Sequence, residues 1–109
     1  AAIDKYNIAK GYIMVILTGI HKRPDTSVNF FRRPHNRNIL EKQMLEDGRL
    51  VSVQSTNPDE YTEHNTHIFV DRQAYECWIT DPSRDDTIAA RKVYNEENGI
   101  VSTNTVVEC

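Results

Sequence analysis

Four histidines, His21, His35, His64 and His67, are the side chains of this chain best suited to proton transfer, because imidazole titrates near neutrality. His64 and His67 sit beside Asp59, Glu60 and Glu63, a grouping with the donor types of a metal site. Three-residue spacing in a regular strand places the two rings on opposite faces, so no shared metal is expected. His67 alternates with Ile68 and shares a face with Phe69, which makes it the group best placed to line a sheet cavity. Tyr75 is the second residue that could handle a proton there.

Other reactive patterns are missing. Asp85-Asp86 and Glu96-Glu97 are explained by helix electrostatics and solvation. No serine falls in a nucleophile elbow, and four glycines leave little scope for a phosphate-binding loop. The aromatic residues Phe69, Tyr75, Trp78 and Tyr94 either line a small-molecule pocket between helices and sheet or fill a core. Phe30, Phe31, Arg32, Arg33 and Arg37 read as anchors for an interface with another protein, the arginines alternatively as an anion site. No cofactor and no metal is expected.

The chain has 109 residues, 39% hydrophobic and 27% charged, with a formal net charge of -3. That length gives one α+β domain, assigned to residues 12–109, with residues 1–11 as an arm able to reach a neighbour. The negative balance argues against a general polyanion binder, despite the local patch of Lys22, Arg23, Arg32, Arg33 and Arg37. Apolar runs are strand-sized, so no membrane role is expected. Cys77 and Cys109 offer neither metal-ligand spacing nor a disulfide framework. Free thiols suit the cytoplasm, or a virus particle assembled there.

The elements that would position these groups follow from period and punctuation. Tyr12 to Ile20 is apolar on both alternating faces, the pattern of a central strand. Arg23 to Ser27 is turn chemistry, and a helix runs from Pro34 to Asp47, stopped by Gly48. Leu50 to Ser55 is a strand, Asn57-Pro58-Asp59 a turn, and Thr66 to Val70 a strand. Asp71 caps a short aromatic helix that Asp81-Pro82 ends. Ser83 with Asp86 reads as a capping box for a helix to Asn98, Gly99 as its stop, and Ile100 to Val107 as a β-branched strand. The order is a ferredoxin-like split β-α-β, a four-stranded antiparallel sheet with helices on one face and the last helix broken at Asp81-Pro82. The sheet's other face needs a cover, which predicts a homodimer or larger assembly.

From Thr66 to Gly99, where a strand meets an acidic cap, an aromatic helix and an Asp-Pro break, the chain resembles the dimeric α+β barrel superfamily, which includes antibiotic-biosynthesis-monooxygenase-like and haem-degrading proteins. The resemblance implies the fold. It does not carry haem degradation, because Phe69 stands where those members have a Trp, Ile88 where they have a helical His ligand, and Tyr12 to Ile20 lacks their Asn. The reading that follows is a non-enzymatic structural or interaction module that self-associates or packs on a larger assembly, such as an accessory protein of a bacteriophage particle. The alternative implied by the resemblance is a cofactor-free oxygenase or isomerase with a small-molecule ligand, in which His67 or Tyr75 moves a proton. A solid core between sheet and helices would favour the first, a cavity holding the His67 ring the second.

Overall fold

The computed structural model describes residues 13–32 and 35–109, the side chains of 35–38 excepted. Strand β1 (Val15–Lys22) carries Val15, Leu17, Gly19 and His21 on one face and Ile16, Thr18 and Ile20 on the other. It runs antiparallel to β3 (Thr62–Phe69) on one side and to β4 (Val101–Glu108) on the other, so its apolar pattern is that of an interior strand. Strand β2 (Leu50–Asp59) pairs with β3, which gives a four-stranded antiparallel sheet in the order β2-β3-β1-β4. Helices α1 (His35–Glu46), α2 (Arg72–Thr80) and α3 (Arg84–Asn98) complete the ferredoxin-like α+β architecture.

Register fixes what shares a face. Val15 lies opposite Phe69, Leu17 opposite His67, Gly19 opposite Asn65 and His21 opposite Glu63. On the other side Leu17 meets Val106, Gly19 meets Asn104 and His21 meets Ser102. The core sits at one end of this face, where Val15, Leu50 and Phe69 pack with Met44 of α1 and with Ala74 and Trp78 of α2. Phe69 is wholly buried and its ring meets Tyr75 edge-on, with centroids 5.7 Å apart. Toward the other end the floor becomes polar, and α3 stands over it.

Local chemistry explains the joints. The Asp71 carboxylate accepts the Ala74 amide at 2.8 Å, the expected cap of α2, and Asp81 takes extended backbone before Pro82 to end it. Gly99 adopts the left-handed conformation, φ 70°, that stops α3. The capping box does not form. Ser83 has helical backbone and no side-chain cap, because the tight turn before it already engages the first amides: Arg84 N–H donates to the Asp81 carbonyl and Asp85 N–H to that of Pro82.

Two strands run past their expected ends. Strand β2 continues through Asn57 and Pro58 to Asp59 because it is a sheet edge, where proline costs no ladder bond, and the register shift between Thr56 and Asp59 absorbs the irregularity. The turn is instead Glu60-Tyr61, held by the Tyr61 amide on Asp59. Strand β3 begins at Thr62, four residues earlier than its apolar part suggests, since Glu63, His64 and Asn65 are polar yet paired with β1. The arm assigned to residues 1–11 and Arg33 of the assigned interface lie outside the described residues, as does the side chain of Arg37. Among the described residues no helix is long and apolar enough to cross a membrane.

Phe69→Ala would remove the ring on which α1, α2 and three strands converge. Urea unfolding is expected to show a loss of about 3–5 kcal/mol, the range for truncating a buried phenylalanine.

Candidate functional site

Between the sheet and the helices lies a cleft of about 890 Å³, within the range of small-molecule sites. Its floor is the helix-facing side of the sheet: Leu17, Gly19 and His21 of β1, Glu63, Asn65 and His67 of β3, Ser102, Asn104 and Val106 of β4. Tyr75, Trp78 and Ile79 of α2 wall one end, and Thr87, Ile88, Arg91 and Asn95 of α3 form the roof. Apolar walls with a few polar groups in the floor are what an organic ligand needs, area to bury and groups to orient it.

His67 joins the cleft to the core. Its Nε2 lies 2.8 Å from Glu41 Oε1 of α1, and both side chains are mostly buried. Its ring packs against Trp78 at 4.9 Å and stacks on Phe69 at 6.2 Å, which fixes its plane. A carboxylate at Nε2 favours the tautomer whose Nε2–H donates to Glu41, and the lone pair is then on Nδ1. Among the described residues nothing bonds to Nδ1. A base held by a carboxylate with its second nitrogen free is the arrangement general-base catalysis requires.

The opposite end is a hydrogen-bonded polar cluster. His21 Nδ1 lies 2.6 Å from Ser102 Oγ, which also accepts the Asn95 side-chain amide at 2.9 Å. Glu63, buried opposite His21, is bound by Arg32 at 3.1 Å and accepts the Asn65 amide at 3.3 Å. Ser55 Oγ in turn donates to Asn65 Oδ1 at 2.8 Å. Burial, and secondly the positive charge of Arg91, hold the His21 imidazole below its ordinary value of 6.5, with Glu63 opposing them. Around neutrality His21 is therefore uncharged.

Of the residues singled out from sequence, His67, Tyr75 and Trp78 line the cleft. Phe69 lies in the core behind it, and Tyr94 turns away, its hydroxyl donating to the Asn29 carbonyl. Of the residues assigned to an interface, Phe30, Phe31 and Arg32 are described, and the Arg32 side chain is largely exposed. Phe30 is buried under the Arg23 guanidinium, 4.8 Å from its ring centre, while Phe31 and Arg32 join the cleft wall, Phe31 beneath Arg91. His64 points to the other sheet face from His67, as the spacing predicts, and the described residues contain no cluster fit for a metal. His21, one of the four candidate histidines, comes together with Asn65, Ser102, Asn104 and Asn95, which no motif in the sequence singles out. Their signal was alternation: Glu63, Asn65 and His67, like Ser102 and Asn104, are polar residues two apart in strands whose covered face ought to be apolar.

No family model and no curated protein matches the sequence. Solved structures do share its fold. SnoaB, a cofactor-independent oxygenase from Streptomyces nogalater, superimposes with a TM-score of 0.54 at 8% identity over 86% of this chain and 90% of its own. A conserved Bacteroides thetaiotaomicron protein of unknown function, described as a possible oxidoreductase, gives 0.57 at 7% identity over 88% and 97%. At such identities the likeness shows the ferredoxin-like α+β fold and not the chemistry. The expectation of a non-enzymatic structural module, including a bacteriophage accessory protein, is corrected by two findings. The architecture is one that SnoaB, an oxygenase, uses, and an open cleft with the His67 ring in its floor stands where a solid core would have favoured that reading.

The lowered His21 value sets a pH dependence. Between the folded-state value and 6.5 the unfolded chain binds more protons, so stability rises with pH across that window and falls as pH drops through it. Asp25, held down by the Ser27 hydroxyl, Asp47 by the Arg49 guanidinium and Asp59 by the Tyr61 amide act below 3.8, outside it. Urea unfolding at about pH 5 and about pH 7 is expected to show a gain in stability for the parent that is smaller in His21→Gln.

Proposed function

We propose that this chain is a cofactor-free oxygenase or isomerase acting on a planar conjugated ketone or phenol held in the cleft, with His67 as the general base. The observation that carries this is the His67–Glu41 pair, opening on a space large enough for a polycyclic substrate and flanked by Trp78 and Tyr75. His67 Nδ1 takes a proton from an acidic C–H, and the bonding pair moves into the conjugated system as the carbonyl π pair moves onto oxygen. Glu41 stabilises the imidazolium that forms. In an isomerase the proton returns at another carbon. In an oxygenase the electron-rich carbanion reduces dioxygen itself: a CH₂ group and O₂ give C=O and water, so the substrate supplies the electrons. Tyr75, packed on Phe69 at the cleft wall, is the second candidate for proton return.

The reading includes a second copy of the chain. Away from the helices the sheet presents Ile16, Ile20, Ile68, Val101 and Val107 among threonines, and Val101 and Val107 are 65% and 54% exposed. Burying this β-branched face against its own copy covers it and leaves each cleft open on the far side. Light scattering should give twice the chain mass, and Ile68→Lys, which places a charge in mid-face, should give the monomer.

The activity test uses anthrone, whose CH₂ is flanked by two aromatic rings and lies across a ring from a ketone, in aerated buffer with chelator. Oxygen uptake and anthraquinone absorbance should rise above the buffer rate, and His67→Gln should lower kcat/KM by about 10²-fold or more. Conversion of anthrone at the buffer rate, with no enzyme-dependent exchange of its CH₂ protons into deuterated water, would overturn the assignment.

A further inference from the structure

Gly19 occupies the middle of the cleft floor, flanked across both ladders by Asn65 and Asn104. A Cβ built on it would lie 3.2 Å from His21 Nε2 and 3.3 Å from Asn104 Oδ1. Two polar side-chain groups thus converge on one point above a residue with no side chain of its own. Neither His21 Nε2 nor the Asn104 amide has a protein partner among the described residues, whereas Asn65 is engaged at both ends by Ser55 and Glu63. We propose that His21 and Asn104, converging over Gly19, form a binding site for a ligand's carbonyl oxygen and the enolate or phenolate oxygen derived from it.

The hydrogen-bond relay behind His21 sets its role. Asn95 occupies one lone pair of Ser102 Oγ, and the hydroxyl proton is best placed on His21 Nδ1, 2.6 Å away. That leaves the imidazole proton on Nε2, aimed at the point over Gly19, as a donor. The Asn104 amide can turn its NH₂ to the same point, since nothing else fixes it. Of the charged groups facing His21, Arg91 on α3 favours both the neutral ring and an anionic ligand. Glu63 on β3 opposes both, but its charge is taken up by Arg32. His21 is a ligand-contacting residue in this arrangement, and Ser102 and Asn95 are positioning residues.

The site deepens the reading of His67 as base and rests on it for its place in a reaction. His67 faces Leu17, two residues along β1 from Gly19, roughly 7 Å at the strand rise. A conjugated substrate lying flat on Gly19 can span that distance, its acidic C–H at His67 and its oxygen between His21 and Asn104. The charge created when the proton leaves then arrives between two donors already in place, which is where preorganised hydrogen bonds act most strongly.

Two measurements on the full chain test this. Long-range ¹H–¹⁵N correlation of ¹⁵N-histidine protein reports tautomers without any ligand. His21 is expected as the neutral Nε2–H form at neutral pH, with Ser102→Ala losing that preference and Ser102→Thr keeping it. A neutral Nδ1–H form in the parent would overturn the proposal. The second uses 7-hydroxycoumarin, whose phenol and phenolate absorb at different wavelengths. The parent should bind the phenolate at least about tenfold more tightly than the phenol, as expected when donors face a charged oxygen. Gly19→Ala, whose methyl crowds the oxygen away from both donors, should abolish that preference, Ser102→Ala should weaken it, and Ser102→Thr should retain it. Dye bound without preference for the phenolate, or a preference that survives both alanine variants, would overturn this proposal and leave the His67 assignment standing. No dye binding at all would overturn both.

Discussion

One buried ring carries most of the architecture. Phe69 ends β3 where the sheet's ladders meet the entry to α2, and Val15, Leu50, Met44, Ala74 and Trp78 close around it. With so short a chain the apolar side chains suffice for a core at only one end of the sheet. At the other end the covered face is built of His21, Glu63, Asn65, Ser102 and Asn104, which cannot pack as a dry interior; His21 bonds to Ser102 and Asn65 to Glu63, and the Asn104 amide stays open to the cleft. The cleft is the space that remains when a single small core is asked to hold three helices over four strands.

Within that space the polar groups divide by how they are held. His67 is clamped by a carboxylate and two aromatic rings, Glu63 by an arginine and an amide, His21 by a serine. These restraints come from β3 and β4, from the loop at Arg32 and from two helices, so the relative positions of the groups depend on sheet register and on how α1 and α2 sit over it. Backbone pairing in antiparallel ladders is a stiff frame for this purpose, and small movements of the helices change the roof more than the floor.

Much of the fold was legible because it is written locally. A cap, a proline break, a left-handed glycine and a run of alternating β-branched residues each act over a few neighbours, and Asp71, Asp81-Pro82, Gly99 and Val101 to Val107 did what their chemistry dictates. The misreadings have the same origin. Pro58 reads as a turn because its tolerance depends on β2 being an edge, and Thr62 to Asn65 does not read as strand because its partners lie in β1. Ser83 has the residue type of a cap, but the preceding turn already engages the amides. His67 could be found from its own strand's alternation. Alternation places Ser102 and Asn104 on one face of their strand but not beside Gly19, since what brings them together is a register between strands some eighty residues apart in sequence, and polar strands specify register weakly.

The core and the polar part of the floor are distinct sets of side chains, joined through Leu17, Tyr75 and Trp78 and through the packing of His67 on Phe69 and Trp78. A substitution at Asn65, Asn104 or Ser102 removes no part of the apolar nucleus, and sites this far apart with no shared neighbours act nearly independently. The binding surface of such a chain can drift through many chemistries while the scaffold stays folded. That independence is a physical reason for one backbone to recur among sequences with almost no residues in common.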